Sequence, residues 1–373
     1  MRIGVPKEIK DHEFRVGLIP SGVRALHEVG HDVSIESGAG AAIGYHDALY
    51  REAGANIVKS PAEIYNCELV IKVKEPLSRE VPLFHPGMVL FCYLHLAASR
   101  ELTEQLLLSG THCIAYESVL DAQGTRPLLT PMSAVAGRLS IQMGAWALTM
   151  ANGGSGVLLS GLAGVAPGKV AILGGGVVGS NAARIAVGLG ADVTVLDRDP
   201  ARLQHLEEIF GARLKTCDAE VASIESCVRD ADLLVGAILL PGKQAPKLIS
   251  RTLIQSMRPG SVFVDVAIDQ GGCSETSHPT THSAPLYTEE GIVHYCVTNM
   301  PAATARTSTQ ALTQATLPYV LSLARHGMQQ AMQTDDGLKN GLNICNGHIT
   351  HAHLAEDLGL PHLPPEQVLN KMS

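Results

Sequence analysis

Over the first third of the chain, short runs of apolar residues alternate with polar ones, and several are followed by stretches with helical spacing. RIGVP (2–6), HDVSIES (31–37), ELVIKVK (68–74), MVLFCYL (88–94) and THCIAYE (111–117) read as strands. Helical patterns fall around 20–30, 61–66 and 99–109. The segment PMSAVAGRLSIQMGAWALTMA (131–151) opens on a proline suited to a first helical turn and stays apolar for several turns, which predicts a long connecting helix. A second alternation follows: KVAIL, DVTVLD, RLKTC, DLLVGAIL, SVFVDVA and IVHYCVTN, separated by helix-length segments. Six strands of this kind suffice for a doubly wound sheet. Beyond them TSTQALTQATLPYVLSLARHG (307–327) is again helical, and a polar stretch leads into a last short helical pattern. The pattern therefore predicts an α/β protein of two Rossmann-like domains. Residues 129–306 form the inserted, doubly wound domain, and 1–128 with 307–373 form the discontinuous one.

Composition narrows the partners. With 46% hydrophobic and 17% charged residues the chain fills globular interiors and leaves little room for disorder. A formal net charge of -8 without a long basic run argues against nucleic acid or an anionic membrane surface as the main partner. The stretch 154–176 is apolar but interrupted by Pro167, Lys169 and several glycines, so no membrane span is expected. The N-terminus lacks the apolar core of a secretory leader, and the eight cysteines include no C-x-x-C pair. Reduced core thiols in a cytoplasmic protein are expected.

The most specific motif is AILGGGVVGSNAARIAVGLGADVTVLDRD. Gly174, Gly176 and Gly179 form G-x-G-x-x-G between a strand and a helix, and the next strand ends on Asp197. That whole order predicts a dinucleotide site, whereas glycines alone would do no more than pack helix on sheet. The helix N-terminus would face the pyrophosphate, and Asp197 the adenosine ribose hydroxyls. A carboxylate there disfavours a 2'-phosphate, which makes NAD the expected cofactor, although Arg198 follows directly.

Chemistry has to come from outside that motif. In VIKVKEP the two-residue strand period puts Lys72 and Lys74 on one face, either as site residues or as solvated lysines. His95 ends an apolar run, where a histidine is either functional or a satisfied core residue. Arg15 suits bidentate carboxylate binding or a loop surface. Glu117 and His326 are compatible with a metal pair, but an ion pair fits them better and no metal is assigned.

Taken together, MRIGVPKEIK..E.RVGLIPSGV, ESGAG, KVKEP, YLHLA, PMS.VAGR, GGGVVG, VDVAIDQGGC.ETS, HYCV.NMP and ARTST resemble the alanine dehydrogenase and pyridine nucleotide transhydrogenase family over nearly the full length. The resemblance implies NAD-dependent deamination of L-alanine to pyruvate and ammonia, through an iminium that water attacks, and the reverse amination. It implies Arg15 and Lys74 as the substrate-carboxylate pair, with Lys74 and His95 handling protons and Asp269 as a second catalytic residue. For the cofactor it implies Ser133, Gly174, Gly176, Val177, Val178, Gly179, Asp197, Arg202, Ile238, Leu239, the run Val266, Ala267, Ile268 and Asp269, and the run Val297, Thr298, Asn299 and Met300. A homohexamer is also implied. The alternatives are a transhydrogenase-like nucleotide-binding module and a non-catalytic NAD-binding protein. Ala134 replaces the glutamate usual after PMS, and Ala302–Thr304 depart from the pattern after the proline.

Overall fold

The computed structural model describes residues 1–238 and 245–370. It divides into two compact units, 1–132 with 304–373 and 133–303. The division falls a few residues from the predicted 128/129 and 306/307. The helix Thr130–Ala147 begins in the first unit, where Met132 contacts Arg15, and continues in the second.

The first unit is built on β1 (Arg2–Val5), β2 (Asp32–Glu36), β3 (Asn56–Val58), β4 (Leu69–Ile71), β5 (Val89–Cys92) and β6 (His112–Ala115). These pair in parallel in the order β3-β2-β1-β4-β5-β6. The second unit holds β7 (Lys169–Leu173), β8 (Asp192–Asp197), β9 (Lys215–Asp218), β10 (Leu233–Gly236), β11 (Val262–Asp265), β12 (Leu286–Glu289) and β13 (Ile292–Tyr295). Its parallel part repeats that order as β9-β8-β7-β10-β11-β13, and β12 adds an antiparallel edge. The first sheet is extended in turn by β14 (Leu342–Cys345), antiparallel to β6, and by β15 (His348–Ile349). The edge strands β12, β14 and β15 and the short β3 lie outside the predicted strands.

Parallel strands covered by helices are buried on both faces, so they read as unbroken apolar runs. All four residues of β5, β6, β10 and β11 are buried, for that reason. Truncating one of these side chains, as in Leu90→Ala, would cost about 2–5 kcal/mol. The C-terminal helix Ala305–Thr334 is longer than predicted and is broken at Gly327 (φ 74°, ψ 160°).

Both sheets share a topological consequence. In a doubly wound sheet the strand order reverses between the first and fourth strands, and the loops leaving their carboxyl ends splay apart there and leave a crevice. In the first unit these are the loops after β1 and β4, and in the second those after β7 and β10.

Candidate active site

The loop after β1 carries Glu8, Glu13 and Arg15, the loop after β4 carries Lys72 and Lys74, and the loop after β5 carries His95. Arg15 is 2% exposed. Glu13 takes its guanidinium bidentately, from Nε to Oε1 at 2.8 Å and from Nη2 to Oε2 at 2.6 Å, and Nη1 lies 3.1 Å from Met132 Sδ. Burial works against the charge, but the Glu13 carboxylate more than offsets it and raises the Arg15 pKa. Such a buried fork is rigid, and losing one partner would cost about 3–5 kcal/mol.

The lysines differ from expectation. β4 stops at Ile71, so the strand period does not extend over Lys72 and Lys74, and the two take separate partners. Lys72 is 1% exposed, and its ammonium donates to Glu80 Oε1 at 2.8 Å and Glu8 Oε2 at 3.2 Å. Burial disfavours its charge, yet Glu8, Tyr65 and Glu80 overcome this and hold it protonated. Lys72 is therefore a buried, doubly paired cation and not a solvated lysine. Lys74 lies beyond the strand with its ammonium 3.3 Å from Glu75 Oε2. Burial opposes ionisation of Glu75, but Lys74 first, then Lys10 and His95, keep its carboxyl below the usual range. Lys74 and His95 thus act on a common carboxylate.

His95 is also displaced from the predicted strand end. β5 ends at Cys92, and His95 is exposed, in the left-handed region with φ 48°. A non-glycine residue there is held by its surroundings. The Glu117 carboxylate supplies the hold, accepting from His95 N at 2.7 Å and Leu94 N at 3.1 Å. Glu117 is therefore a backbone anchor and not half of a pair with His326. Tyr93 stacks on the His95 ring and donates its hydroxyl to Leu128 O at 2.5 Å. Its backbone N–H donates to Val73 O, which ties the His95 loop to the Lys74 loop. Among the described residues no group of three or more His, Cys, Asp or Glu is placed to hold a metal ion.

In the second unit the glycine motif forms the turn after β7. Gly174 has φ 102°, and a Cβ on it would lie 2.7 Å from Ala237 O, which puts the strand-to-loop exit at Ala237 and Ile238 against the turn. A Cβ on Gly179 would sit 1.7 Å from Gly174 O. Gly176 precedes the helix Val177–Leu189, whose N-terminus no side chain caps, so its first N–H groups are available for an anion. Asp197 accepts from Gly175 N at 2.6 Å and Asp199 N at 2.9 Å. Arg202 Nη1 lies 3.8 Å from the same carboxylate, and Arg198 is exposed. Close backbone approach, uncapped amides and a carboxylate at the end of the second strand are what a dinucleotide requires. Val178 packs on Gly137, one turn beyond Ser133 in the helix Thr130–Ala147. That helix has no acidic residue in its first turn, and Ala134 is half-buried there.

Val266, Ala267, Ile268 and Asp269 form a short 3-10 turn after β11. Asp265, fully buried, holds it by accepting from Ala267 N, Cys273 N and the Ser277 hydroxyl. Burial pushes its carboxyl up in spite of these bonds. Asp269 Oδ1 accepts from Asn299 N at 3.3 Å, so the Asp269 turn adjoins the run Val297, Thr298, Asn299 and Met300. Ala302 is buried in the turn Met300–Thr304 that follows. Leu239 lies outside the described residues.

Sequence reasoning missed Glu8, Glu13, Tyr93 and Asp265, and it read Glu117 otherwise. The advance signal was the run of charged residues from Lys7 to Arg15, in a loop that directly follows an apolar strand.

These loops define an oxidoreductase with a nucleotide-binding unit of doubly wound topology. A family model described as Alanine dehydrogenase/PNT, N-terminal domain, matches residues 4–136, and one described as Alanine dehydrogenase/PNT, C-terminal domain, matches 140–352. The chain belongs to the alanine dehydrogenase/PNT family. It is 53% identical over 364 residues to an alanine dehydrogenase of Halomonas elongata, covering 97% of this chain and 98% of that one. It is 50% identical over 374 residues to an alanine dehydrogenase of Bacillus subtilis, covering 100% and 99%. A solved L-alanine dehydrogenase superposes with a TM-score of 0.94 at 53% identity, over 96% of this chain and 99% of the other. A transhydrogenase structure from Sinorhizobium meliloti, at 23% identity and a TM-score of 0.82 over 94% and 100%, shares the fold. No helix among the described residues is long and apolar enough to cross a membrane.

Proposed function

We propose that this chain catalyses the NAD-dependent interconversion of L-alanine and water with pyruvate and ammonia, with residues 133–303 binding the nucleotide and the remainder binding the substrate. The observation that carries the proposal is the convergence of Arg15, Lys74 and His95 on the loops around the switch point of the first sheet, in a chain about half identical to alanine dehydrogenases along its length. When bound, NAD supplies the hydride acceptor, and its reduced form supplies the donor.

The chain's own residues supply binding and proton transfer. Arg15, whose fork is fixed by Glu13, meets the substrate carboxylate together with the Lys74 ammonium. Among the described residues Lys74 pairs with one carboxylate, Glu75, which it shares with Lys10, so its ammonium can turn to a second anion without leaving a buried charge unpaired. His95 is exposed on a rigid backbone, where it accepts a proton from the amine or carbinolamine and returns it to the carbonyl. Asp269 orients water and ammonia and offsets the cationic iminium. On the nucleotide side Asp197 accepts from the ribose hydroxyls, while Ser133, Val178, Arg202, Ile238 and the runs 266–269 and 297–300 line the cofactor. The chain is expected to work as a homohexamer, which analytical ultracentrifugation reads directly.

The test is NADH oxidation followed by absorbance, with pyruvate and ammonium, on wild type, Lys74→Ala and His95→Ala. Wild type is expected to turn over, with each variant at least about a hundredfold slower. Equal rates in all three proteins, or no turnover by wild type, would overturn the proposal.

A further inference from the structure

Glu8 is 6% exposed in a loop that already contains other buried charges, so its carboxylate needs a reason to be there. Neutralising Lys72 is an incomplete one. Glu80 already takes the Lys72 ammonium at 2.8 Å, closer than Glu8 at 3.2 Å. The shortest bond Glu8 makes is to backbone: Oε1 accepts from Val73 N at 2.7 Å and also from Lys74 N at 3.2 Å. Glu80 does likewise further on, its Oε2 accepting from Leu77 N at 2.7 Å, and the Tyr65 hydroxyl donates to its Oε1. In the segment 72–80, beyond the end of β4, the first two residues still bond to β5 and its exit, Lys72 N donating to Phe91 O and Tyr93 N to Val73 O, and among the described residues no backbone bond ties the rest to the sheet. Two buried carboxylates grip it at 73–74 and at 77, with the Lys72 ammonium bridging them.

We propose that Glu8 is the positioning residue of Lys74: by holding the Val73 and Lys74 amides from the loop after β1, it sets where the Lys74 ammonium meets the substrate carboxylate and fixes its distance from Arg15 on that same loop. Glu8 touches neither substrate nor cofactor, and it acts through the lysine. This rests on the assignment of Lys74 to substrate binding made above.

The measurement is pyruvate binding to the NAD-loaded full-length enzyme by isothermal titration calorimetry, which needs no turnover. Wild type, Glu8→Ala, Glu8→Gln, Lys74→Ala and the two double variants are compared, with NAD affinity read in parallel. Glu8→Ala is expected to weaken pyruvate binding about tenfold or more, the range that misplacement of a binding group by a fraction of an ångström to an ångström produces. NAD affinity is expected to change less than about twofold, because the nucleotide motif lies in the other unit. Glu8→Gln keeps an oxygen for the two amides and recovers most of the loss. In the Lys74→Ala background, removing Glu8 adds less than about twofold, since the group it positions is gone. The inference is overturned if the Glu8 and Lys74 losses multiply, if pyruvate and NAD affinities fall together, or if Glu8→Gln is no better than Glu8→Ala. Should Glu8→Ala fail to fold, Glu8→Asp, whose shorter side chain keeps the charge but withdraws the carboxylate from the two amides, takes its place in the cycle, and its loss must be non-additive with Lys74→Ala. A Lys74→Ala protein that binds pyruvate normally refutes the substrate-site reading itself, whereas one that binds weakly beside unaffected Glu8 variants refutes this inference alone.

Discussion

Gly179→Ala tests the nucleotide turn most sharply, because the helix Val177–Leu189 contains its own control. A Cβ at Gly179 would lie 1.7 Å from Gly174 O and 2.9 Å from Gly174 C. Both are backbone atoms of the turn, so no side chain can rotate away. Relief requires the helix start and the Gly174 carbonyl to separate by about 1.3 Å, since packed carbon and oxygen atoms do not approach within about 3 Å. A shift of that size displaces the uncapped amides from the phosphates, for an expected loss of about a hundredfold in NADH affinity. Gly188, in the same helix, is exposed and a Cβ there would meet nothing within 4 Å. Gly188→Ala is therefore expected to stabilise by about 0.5–1 kcal/mol through helix propensity and leave affinity alone. Fluorescence titration with NADH and thermal unfolding of both variants are the assays. Wild-type affinity in Gly179→Ala, or equal loss in both variants, would refute the steric reasoning.

Two further outcomes follow from the second unit. Asp197→Asn keeps an acceptor for the Gly175 amide but removes the charge facing the ribose, so the ratio of kcat/KM for NADPH to that for NADH should rise at least about tenfold; an unchanged ratio would mean the carboxylate does not select the cofactor. His294 is fully buried, with Nε2 2.8 Å from Thr276 Oγ1 and Nδ1 2.9 Å from Ile292 O, and burial depresses its pKa. The unfolded chain then binds a proton below about pH 6.5 that the folded one does not, so this residue's contribution is intact above that pH and is lost as pH falls toward the folded value. Urea unfolding should show a shallower loss of stability from pH 7 to 5 in His294→Gln than in wild type, and parallel curves would refute the assignment.

Much of this organisation is legible in the sequence, for a physical reason. Parallel strands covered on both faces read as unbroken apolar runs, so the central strands stand out, and their alternation with helices gives the α/β class. The edge strands do not stand out. Leu286–Glu289 is partly exposed and follows a loop rather than a helix, and His348–Ile349 is two residues long. Strand ends are equally hard to read. The apolar pattern of VIKVK continues past Ile71, where the regular strand ends, because Val73 is still buried and Lys72 N and Val73 O still bond to β5 and its exit. The predicted facing of Lys72 and Lys74 failed there.

The candidate site shows the same division at the level of charge. Lys74 and His95 can be singled out from the sequence because each is a polar residue ending an apolar run, Arg15 as a guanidinium suited to a carboxylate, and the family resemblance names these three and Asp269. Their holders leave no such local mark. Glu8 meets Lys72 across 64 positions, and Glu117 meets His95 across 22. Such a carboxylate looks like surface decoration until the switch point brings its loop against another. Only Glu13, two residues from Arg15, is a near neighbour. Removing Glu13 would strip the Arg15 guanidinium of its bidentate carboxylate, at about 3–5 kcal/mol, and removing Glu117 would release the left-handed backbone at His95, a strain of about 1–3 kcal/mol; removing Glu8 leaves Lys72 on Glu80 but strips the Val73 and Lys74 amides of their acceptor. A relative that keeps the four polar residues but lacks these acids should therefore keep the reaction only where another buried acceptor replaces each one.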